Sequence, residues 1–161
     1  RFLYVGRMSQ EKGIFDFIEM FSEIKLKSEF SIVGNLNNYP IQNENIKLLG
    51  YISDPKLLIE TYDNHNITIL PSYTEASPYV VDESLARKRP IIIFDEISYI
   101  VRDKVGIFIS KRDTNAFLQT TKYVMDNYSE IQRSMEKNLL PTKNNMIKQI
   151  CNIIENKNFN N

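Results

Sequence analysis

The sequence is poor in cysteine, the residue that forms disulfides and holds structural zinc. It has one cysteine, Cys151, in 161 residues. A single cysteine excludes an internal disulfide and argues against a zinc cluster. Chains without disulfides are typical of reducing compartments, so the expected location is the cytoplasm.

Two further absences exclude classes of partner. The sequence has no run of about 18 apolar residues, so we expect no membrane span, and no segment resembles a signal peptide. Lysine plus arginine and aspartate plus glutamate each number 20, which gives a formal net charge of zero. Non-specific nucleic-acid binding depends on excess positive charge, so nucleic acid is not an expected partner. Neutrality leaves room for a small local anion site.

The composition is that of one folded domain. Hydrophobic residues make up 42% and charged residues 25% of the chain, proportions that suit a domain with its own core. Apolar runs predict strands at 2–6, 29–35, 46–52, 67–72, 90–94 and 106–110. Helical spacing and start signals predict helices at 12–25, from Asp54 onward, at 78–88, near 113–127, near 129–138 and near 143–156, before a polar tail.

The order of these segments indicates the fold class. Strand and helix alternate with short links, and the strands are continuous apolar runs, as expected when both faces of a sheet are covered. The sequence therefore predicts an α/β fold with a Rossmann-like, doubly wound, mostly parallel six-stranded sheet and helices on both faces. In such sheets ligands bind at the carboxyl ends of the strands.

Two cations follow the first strand. Arg7 and Lys12 lie in "GRMSQEKG", residues 6–13, between the first strand and the first helix. The arginine fork matches phosphate oxygens and lysine adds a compact charge, which together suit a diphosphate. The alternative is a solvated loop with two ordinary surface cations. The loop has neither the dinucleotide-binding glycine pattern nor the P-loop pattern.

The loop after the fourth strand offers a second anion-binding feature. Ser77 is a favoured capping residue, and Pro78 is favoured at the first helical position. A helix that begins at the carboxyl end of a parallel strand presents its free amides and its dipole to an anion. The alternative is a capped helix without a ligand.

Two carboxylates flank that helix start. Glu75 precedes the predicted cap, and Glu83 lies in the second turn, where a carboxylate can accept vicinal sugar hydroxyls as it does in dinucleotide-binding folds. Asp82 is about 100° from Glu83 around the helix, so at most one of these two faces the pocket. The alternative for each acid is a solvent-facing side chain that the helix dipole favours.

Two other features are interpreted as surface. His65 is the only histidine; it lies in the polar turn "YDNHN" and is not expected to be a catalyst. The basic run Arg87-Lys88-Arg89 is expected to be a solvated turn between a helix and a strand.

The segments resemble one known family. Glu75 and Glu83 form an E-x7-E pattern in "LPSYTEASPYVVDESLARKRPII", which looks like the donor-binding half of GT-B retaining glycosyltransferases of family 4, the group 1 type. "YVGRMSQEKG" is similar to that family's G-R-x4-K-G stretch at Gly6, Arg7, Lys12 and Gly13. "FSIVGN", the run 46–72 and "GIFISKRD" resemble further family segments, so the resemblance spans about residues 1–115 in order.

This resemblance implies a site for a nucleotide diphosphate sugar. Arg7 and Lys12 would bind the diphosphate and offset the charge of the leaving group, and Glu75 would hold hydroxyls of the transferred sugar; these three are the implied catalytic set. Glu83 would hold the ribose hydroxyls. The other implied donor-binding residues are Gly6, Gly34, Asn35, Gly50, Tyr51, Ala76, Ser77, Pro78, Tyr79 and Val80. Residues around Gly50 and Tyr51 would flank the base, and the helix start at 77–80 would present amides to the phosphates.

No metal and no other cofactor is implied, because cationic side chains and the helix dipole take the role that a divalent ion has elsewhere. The implied function is donor binding in a retaining enzyme, a hexosyltransferase that builds a bacterial surface glycan: lipopolysaccharide, a capsule or another polysaccharide. The acceptor would be a glycan or a lipid-linked glycan, and the full-length protein would associate peripherally with the inner face of the cytoplasmic membrane.

The expected organisation is a single donor-binding domain over 1–161, with 143–161 a C-terminal helix and frayed tail. The chain begins at Arg1 rather than Met, so we expect a piece of a longer protein whose N-terminal acceptor domain is absent. Such a piece would bind nucleotide sugar weakly and would not turn it over. The alternative function is a non-catalytic Rossmann-like module for nucleotide binding or protein interaction.

Overall fold

The computed structural model of the protein describes residues 1–24, 27–35, 41–142, 147, 151 and 152. The strands are β1 (Phe2–Val5), β2 (Phe30–Val33), β3 (Ile46–Gly50), β4 (Ile67–Leu70), β5 (Ile91–Phe94) and β6 (Ile107–Ser110). The α-helices are α1 (Ile14–Glu23), α2 (Pro55–Asp63), α3 (Tyr79–Ala86), α4 (Thr114–Asp126) and α5 (Tyr128–Ser134). Short 3-10 helices cover Gln10–Lys12, Asp95–Ile100 and Met135–Lys137.

The predicted helix at 143–156 and the polar tail lie outside the described residues, apart from Ile147, Cys151 and Asn152, which are helical. Among the residues that the structure describes, no helix has both the length and the apolar character needed to cross a membrane.

The six strands form one parallel sheet in the order β3-β2-β1-β4-β5-β6. Phe2 of β1 pairs with Phe30 of β2 on one side and with Ile67 of β4 on the other. This confirms the predicted doubly wound α/β fold. The chain reverses its direction of winding between β1 and β4, and a crevice opens at that point beyond the carboxyl ends of the strands.

A cluster of phenylalanine side chains covers one face of the sheet. Phe17 of α1 is 1% exposed, and its ring lies 5.1 Å from that of Phe30 and 5.2 Å from that of Phe117, both edge to face. Aromatic pairs in this geometry contribute beyond the area they bury. A smaller cluster on Leu3, Val33 and Tyr62 joins β1 and β2 to α2. Successive residues of β1 thus serve different clusters, as the pleat of a strand requires.

One expectation about the sheet was wrong. Continuous apolar runs predicted strands covered on both faces, but in β3 only Ile46 is buried, and Leu48 and Leu49 are 43% and 42% exposed. The reason is position: β3 is an edge strand that pairs with β2 alone.

The first helix begins later than predicted. Residues 10–12 form a 3-10 turn, and Gly13 then takes a left-handed conformation with φ of 58° before α1 starts at Ile14. A Cβ on Gly13 would lie 2.0 Å from the carbonyl oxygen of Pro71. The loop after β1 therefore touches the loop after β4 backbone to backbone.

The basic run after α3 is more than a solvated turn. Arg87 donates from Nε and Nη2 to the two carboxylate oxygens of Asp63, at 2.9 and 2.5 Å. Arg89 donates to the backbone carbonyl of Asp63 and to the hydroxyl of Tyr128. The run joins α3 to the end of α2 and to α5, because a guanidinium fork matches a carboxylate at two points.

His65 is buried rather than at the surface. It is 7% exposed, and its Nδ1 lies 2.6 Å from the carbonyl oxygen of Thr61. The residue precedes β4, at the opposite end of the sheet from the crevice, so it takes no part in a site there. Burial holds the pKa of His65 below its ordinary value of 6.5.

We expect Gly13→Ala to lower the free energy of unfolding by about 2 kcal/mol or more, because left-handed backbone costs alanine about 1–2 kcal/mol and the methyl group meets a carbonyl oxygen as well. Gly50→Ala is the matched control: Gly50 has φ of 72° but no atom within 4 Å of an added Cβ, so only the conformational cost applies. Urea titration measures both. Equal losses would show that the contact with Pro71 is unimportant.

We also expect stability to fall as the pH is lowered through 6.5. The unfolded chain takes up a proton at His65 there, whereas the buried ring resists it, so the folded state becomes relatively less favourable, by no more than about 1.4 kcal/mol per pH unit. His65→Asn keeps a donor near the Nδ1 position and removes the titration. Urea unfolding between pH 5 and 7.5 should show a smaller decline for this variant; identical slopes would contradict the account.

Candidate functional site

Two adjoining clefts lie at the carboxyl ends of β1, β2 and β4. The larger, of about 630 Å³, is lined among others by Gly6, Arg7, Gly34, Asn35, Tyr51 and Glu83. The smaller, of about 260 Å³, is lined among others by Gly6, Lys12, Glu75, Ser77, Pro78, Tyr79 and Val80. The larger volume is in the range of small-molecule sites. The structure thus brings most of the predicted site residues to one edge of the sheet.

Two of the predicted site residues, Ala76 and Gly50, line neither of the two clefts. Ala76 lines a third cavity, of about 60 Å³, together with Asp82 and Lys104. Gly50 lines none of these three cavities; its carbonyl oxygen accepts a hydrogen bond of 3.0 Å from the amide of Gly34. Gly50 therefore joins the ends of β2 and β3 without facing the larger cleft.

Backbone rather than side chain forms the wall between the ends of β1 and β2. A Cβ on Gly34 would lie 2.3 Å from the carbonyl oxygen of Gly6, a distance that no side chain tolerates. Strand packing alone therefore requires glycine at position 34, whatever the cleft binds. The consequence for a ligand is close access to the main chain there.

Arg7 lies at the mouth of the larger cleft. Its side chain is 79% exposed and its Nη2 is 3.1 Å from Glu11 Oε1. A pair this exposed contributes little to stability, so the guanidinium can exchange Glu11 for another anion at small cost. The backbone carbonyl of Arg7 accepts a hydrogen bond of 2.5 Å from the hydroxyl of buried Tyr4, which fixes the main chain beneath the exposed side chain.

Lys12 and Glu75 form an ion pair inside the smaller cleft. Lys12 Nζ lies 2.7 Å from Glu75 Oε1, and the two side chains are only 20% and 7% exposed. The Ser72 hydroxyl donates to the same Oε1 at 2.7 Å. Removal of one charge from such a pair would leave the other poorly solvated and unpaired. The loops after β1 and β4 are thereby linked through two charged side chains to which the family resemblance assigns different parts of a ligand.

Glu83 is held from below by a buried tyrosine. The Tyr62 hydroxyl donates to Glu83 Oε2 at 2.8 Å, and Tyr62 is 2% exposed. Burial and the neighbouring carboxylate raise the pKa of Tyr62 well above its ordinary value, so the hydroxyl stays a donor at neutral pH. Asp82 instead pairs with Lys104 in the third cavity. Of the two adjacent acids, only Glu83 lines the larger cleft.

The start of α3 differs from the prediction. Ser77 does not cap the helix: Pro78 is the N-cap residue, extended with ψ of 111°, no side chain caps the helix, and Tyr79 is the first helical residue. Because the helix begins one residue later than expected, the Ser77 hydroxyl is out of register for capping. The Val81 amide donates to the Pro78 carbonyl at 3.1 Å, so the first-turn amides available to a ligand are those of Tyr79 and Val80, and both residues line the smaller cleft.

Sequence reasoning missed two residues that hold the loop after β4. The Tyr99 hydroxyl accepts from the amide of Glu75 at 2.9 Å and donates to its carbonyl at 2.6 Å. The Arg112 guanidinium donates to the carbonyl of Pro71 at 2.8 Å and lies over the rings of Tyr73 and Phe94, 4.1 and 4.5 Å from their centroids. Arg112 lies in the "GIFISKRD" segment that resembles the family, and that segment was the one signal that could have pointed to it, whereas Tyr99 belongs to no motif and no local pattern identifies it.

Among the described residues, no three or more histidine, cysteine, aspartate or glutamate side chains lie together as they would to hold an ion.

Comparison with known proteins identifies the family. The sequence model of a family described as "Glycosyl transferases group 1" matches residues 1–127. A capsular polysaccharide biosynthesis glycosyltransferase, CapM of Staphylococcus aureus, is 27% identical over 142 residues, which are 78% of this chain and 37% of CapM. The chain therefore spans less than half the length of this relative.

Solved structures share the fold. A glycosyltransferase from Rickettsia africae superposes with a TM-score of 0.76 at 20% identity, over 99% of this chain and 48% of that one. HepE of Anabaena, solved in complex with UDP, gives a TM-score of 0.71 at 13% identity, over 96% of this chain and 48% of that one. The fold is that of one half of a GT-B glycosyltransferase. With the family match over most of its length, the chain belongs to the group 1 glycosyltransferases.

Proposed function

We propose that this chain is the donor-binding domain of a retaining glycosyltransferase, and that the crevice between β1 and β4 holds a nucleotide diphosphate sugar. The observation that carries the proposal is the convergence at one sheet edge of two cations, a helix start and two separately held glutamates. The relative named for capsular polysaccharide biosynthesis and the structural neighbour solved with UDP support it.

The diphosphate would lie between the two clefts, where Gly6 lines both. Lys12 has one donor on Glu75 and retains two for phosphate oxygens, since an ammonium has three. Arg7, at the mouth of the larger cleft, would contact the diphosphate from the solvent side. The amides of Tyr79 and Val80 would point at the same phosphate oxygens. When the bond between the sugar and the diphosphate breaks, negative charge grows on the leaving oxygen, and fixed cations and amides stabilise it.

The nucleoside would occupy the larger cleft. Glu83 lines that cleft and is fixed through Oε2, which leaves acceptor capacity on the carboxylate for the ribose diol. Tyr51 lines the same cleft and is 72% exposed, so its ring is available to flank the base. The transferred sugar would lie against Glu75 in the smaller cleft, where Glu75 Oε1 already meets Lys12 and Ser72.

The remaining features of the expected enzyme belong to this proposal as well. They are a hexosyl donor, charge stabilisation by the chain's own cations without a metal ion, and an acceptor that is a bacterial surface glycan or its lipid-linked precursor. Peripheral attachment at the inner face of the cytoplasmic membrane goes with a lipid-linked acceptor.

Calorimetric titration with UDP, GDP and ADP tests the proposal. We expect one of the three to bind at millimolar concentration or below, with Arg7→Ala and Glu83→Ala each weakening its affinity by about tenfold, the effect of losing a hydrogen bond to a charged group. Arg133→Ala and Glu130→Ala, exposed positions on α5, are the matched controls and should bind as the unaltered protein does. Failure of all three nucleotides to bind, or unchanged affinity in the two cleft variants, would contradict the proposal.

A further inference from the structure

We propose that two tyrosine hydroxyls outside the E-x7-E pattern are positioning residues for its two glutamates: Tyr62 sets the carboxylate of Glu83 and Tyr99 sets the main chain of Glu75. The proposal rests on the proposed function for what those glutamates bind. It goes beyond that function because it assigns control of the nucleoside and of the sugar to separate residues on separate elements.

The case for Tyr62 is its burial. The side chain belongs to the small core cluster with Leu3 and Val33, so its ring cannot move without disturbing β1 and β2. A buried hydroxyl needs a partner, and Glu83 Oε2 at 2.8 Å supplies it. Glu83 itself is exposed, and its carboxylate would otherwise sample several rotamers. The hydrogen bond from Tyr62 therefore restricts the exposed carboxylate of Glu83 through a side chain that the core holds in place.

The case for Tyr99 is a two-point contact. One hydroxyl accepts from the Glu75 amide and donates to the Glu75 carbonyl, which uses its single proton and one lone pair. Together these bonds restrict the main chain of Glu75 on both sides of its Cα. Tyr99 is in the 3-10 helix at Asp95–Ile100, so the carboxyl end of β5 contributes to a site otherwise built on β1, β2 and β4.

The two contacts predict different consequences. Tyr62 supports the acid assigned to the ribose, which every nucleotide ligand carries, so its loss should weaken nucleotide and nucleotide sugar alike. Tyr99 supports the acid assigned to the transferred sugar, so its loss should weaken only the conjugate. A purely structural role for either tyrosine would change the melting temperature without changing either of these affinities.

The experiment compares Tyr62→Phe and Tyr99→Phe with Tyr123→Phe, a control at a 58% exposed position on α4. Calorimetry uses two ligands. The first is the nucleoside diphosphate, of UDP, GDP and ADP, that binds. The second is the conjugate of that nucleotide with glucose, galactose or N-acetylglucosamine that binds most tightly. We expect Tyr62→Phe to weaken both ligands by about fivefold to tenfold, and Tyr99→Phe to lower the ratio of conjugate to nucleotide affinity by about fivefold. Tyr123→Phe should change neither.

A second measurement needs no ligand. Hydrogen exchange of the Glu75 amide, followed by NMR, should quicken in Tyr99→Phe and stay unchanged in Tyr62→Phe. Unchanged exchange of the Glu75 amide in Tyr99→Phe would overturn this proposal alone. So would nucleotide binding by the unaltered protein if Tyr62→Phe and Tyr99→Phe both bind each ligand with the affinity of the unaltered protein. Absence of any nucleotide binding by the unaltered protein would overturn the proposed function, and the proposal with it.

Discussion

The contact between the loop after β1 and the loop after β4 is the constraint on which the candidate site depends. Gly13 and Pro71 meet backbone to backbone, at a distance that admits no side chain at position 13. The amide of Tyr73 donates to the carbonyl of Glu11 at 3.0 Å beside this contact. Because β1 and β4 are neighbours in a parallel sheet, both loops leave the same edge, and glycine lets them close on each other.

The Lys12–Glu75 ion pair joins the same two loops and places two charged groups in the smaller cleft. A buried ion pair is weak evidence for stability, because desolvation offsets its attraction, but its geometry is fixed. A diphosphate that binds the lysine and a sugar that binds the glutamate would find both groups already ordered, which lowers the entropic cost of binding. The same pair would tie the position of a sugar held by Glu75 to that of a leaving group held by Lys12, the relation that a transfer reaction requires.

The sequence was sufficient to predict the parts of the molecule that follow from local pattern. Alternating strands and helices predicted the parallel sheet, and the 100° between adjacent helical residues predicted that at most one of Asp82 and Glu83 would face the pocket. Prediction failed where the answer depends on tertiary position. The exposure of β3 follows from its place at the edge, and the burial of His65 from packing before β4.

The two tyrosines that hold the glutamates show the same dependence on tertiary position more clearly. Tyr62 and Tyr99 reach residues 21 and 24 positions away, and no periodicity marks such a contact. The Ser77 cap was wrong for a local reason, since Pro78 keeps an extended ψ and delays the helix by one residue. Local rules therefore placed the charged groups, whereas the residues that hold those groups in place emerge only from the folded structure.

The most direct test of the account is the structure of the protein in complex with the nucleoside diphosphate that it binds. We expect the diphosphate within hydrogen-bond distance of Lys12 Nζ and the first amides of α3, with the ribose hydroxyls on Glu83 and with Tyr62 still donating to that carboxylate. A nucleotide bound away from the β1 and β4 loops, or a diphosphate that contacts neither Lys12 nor α3, would contradict it.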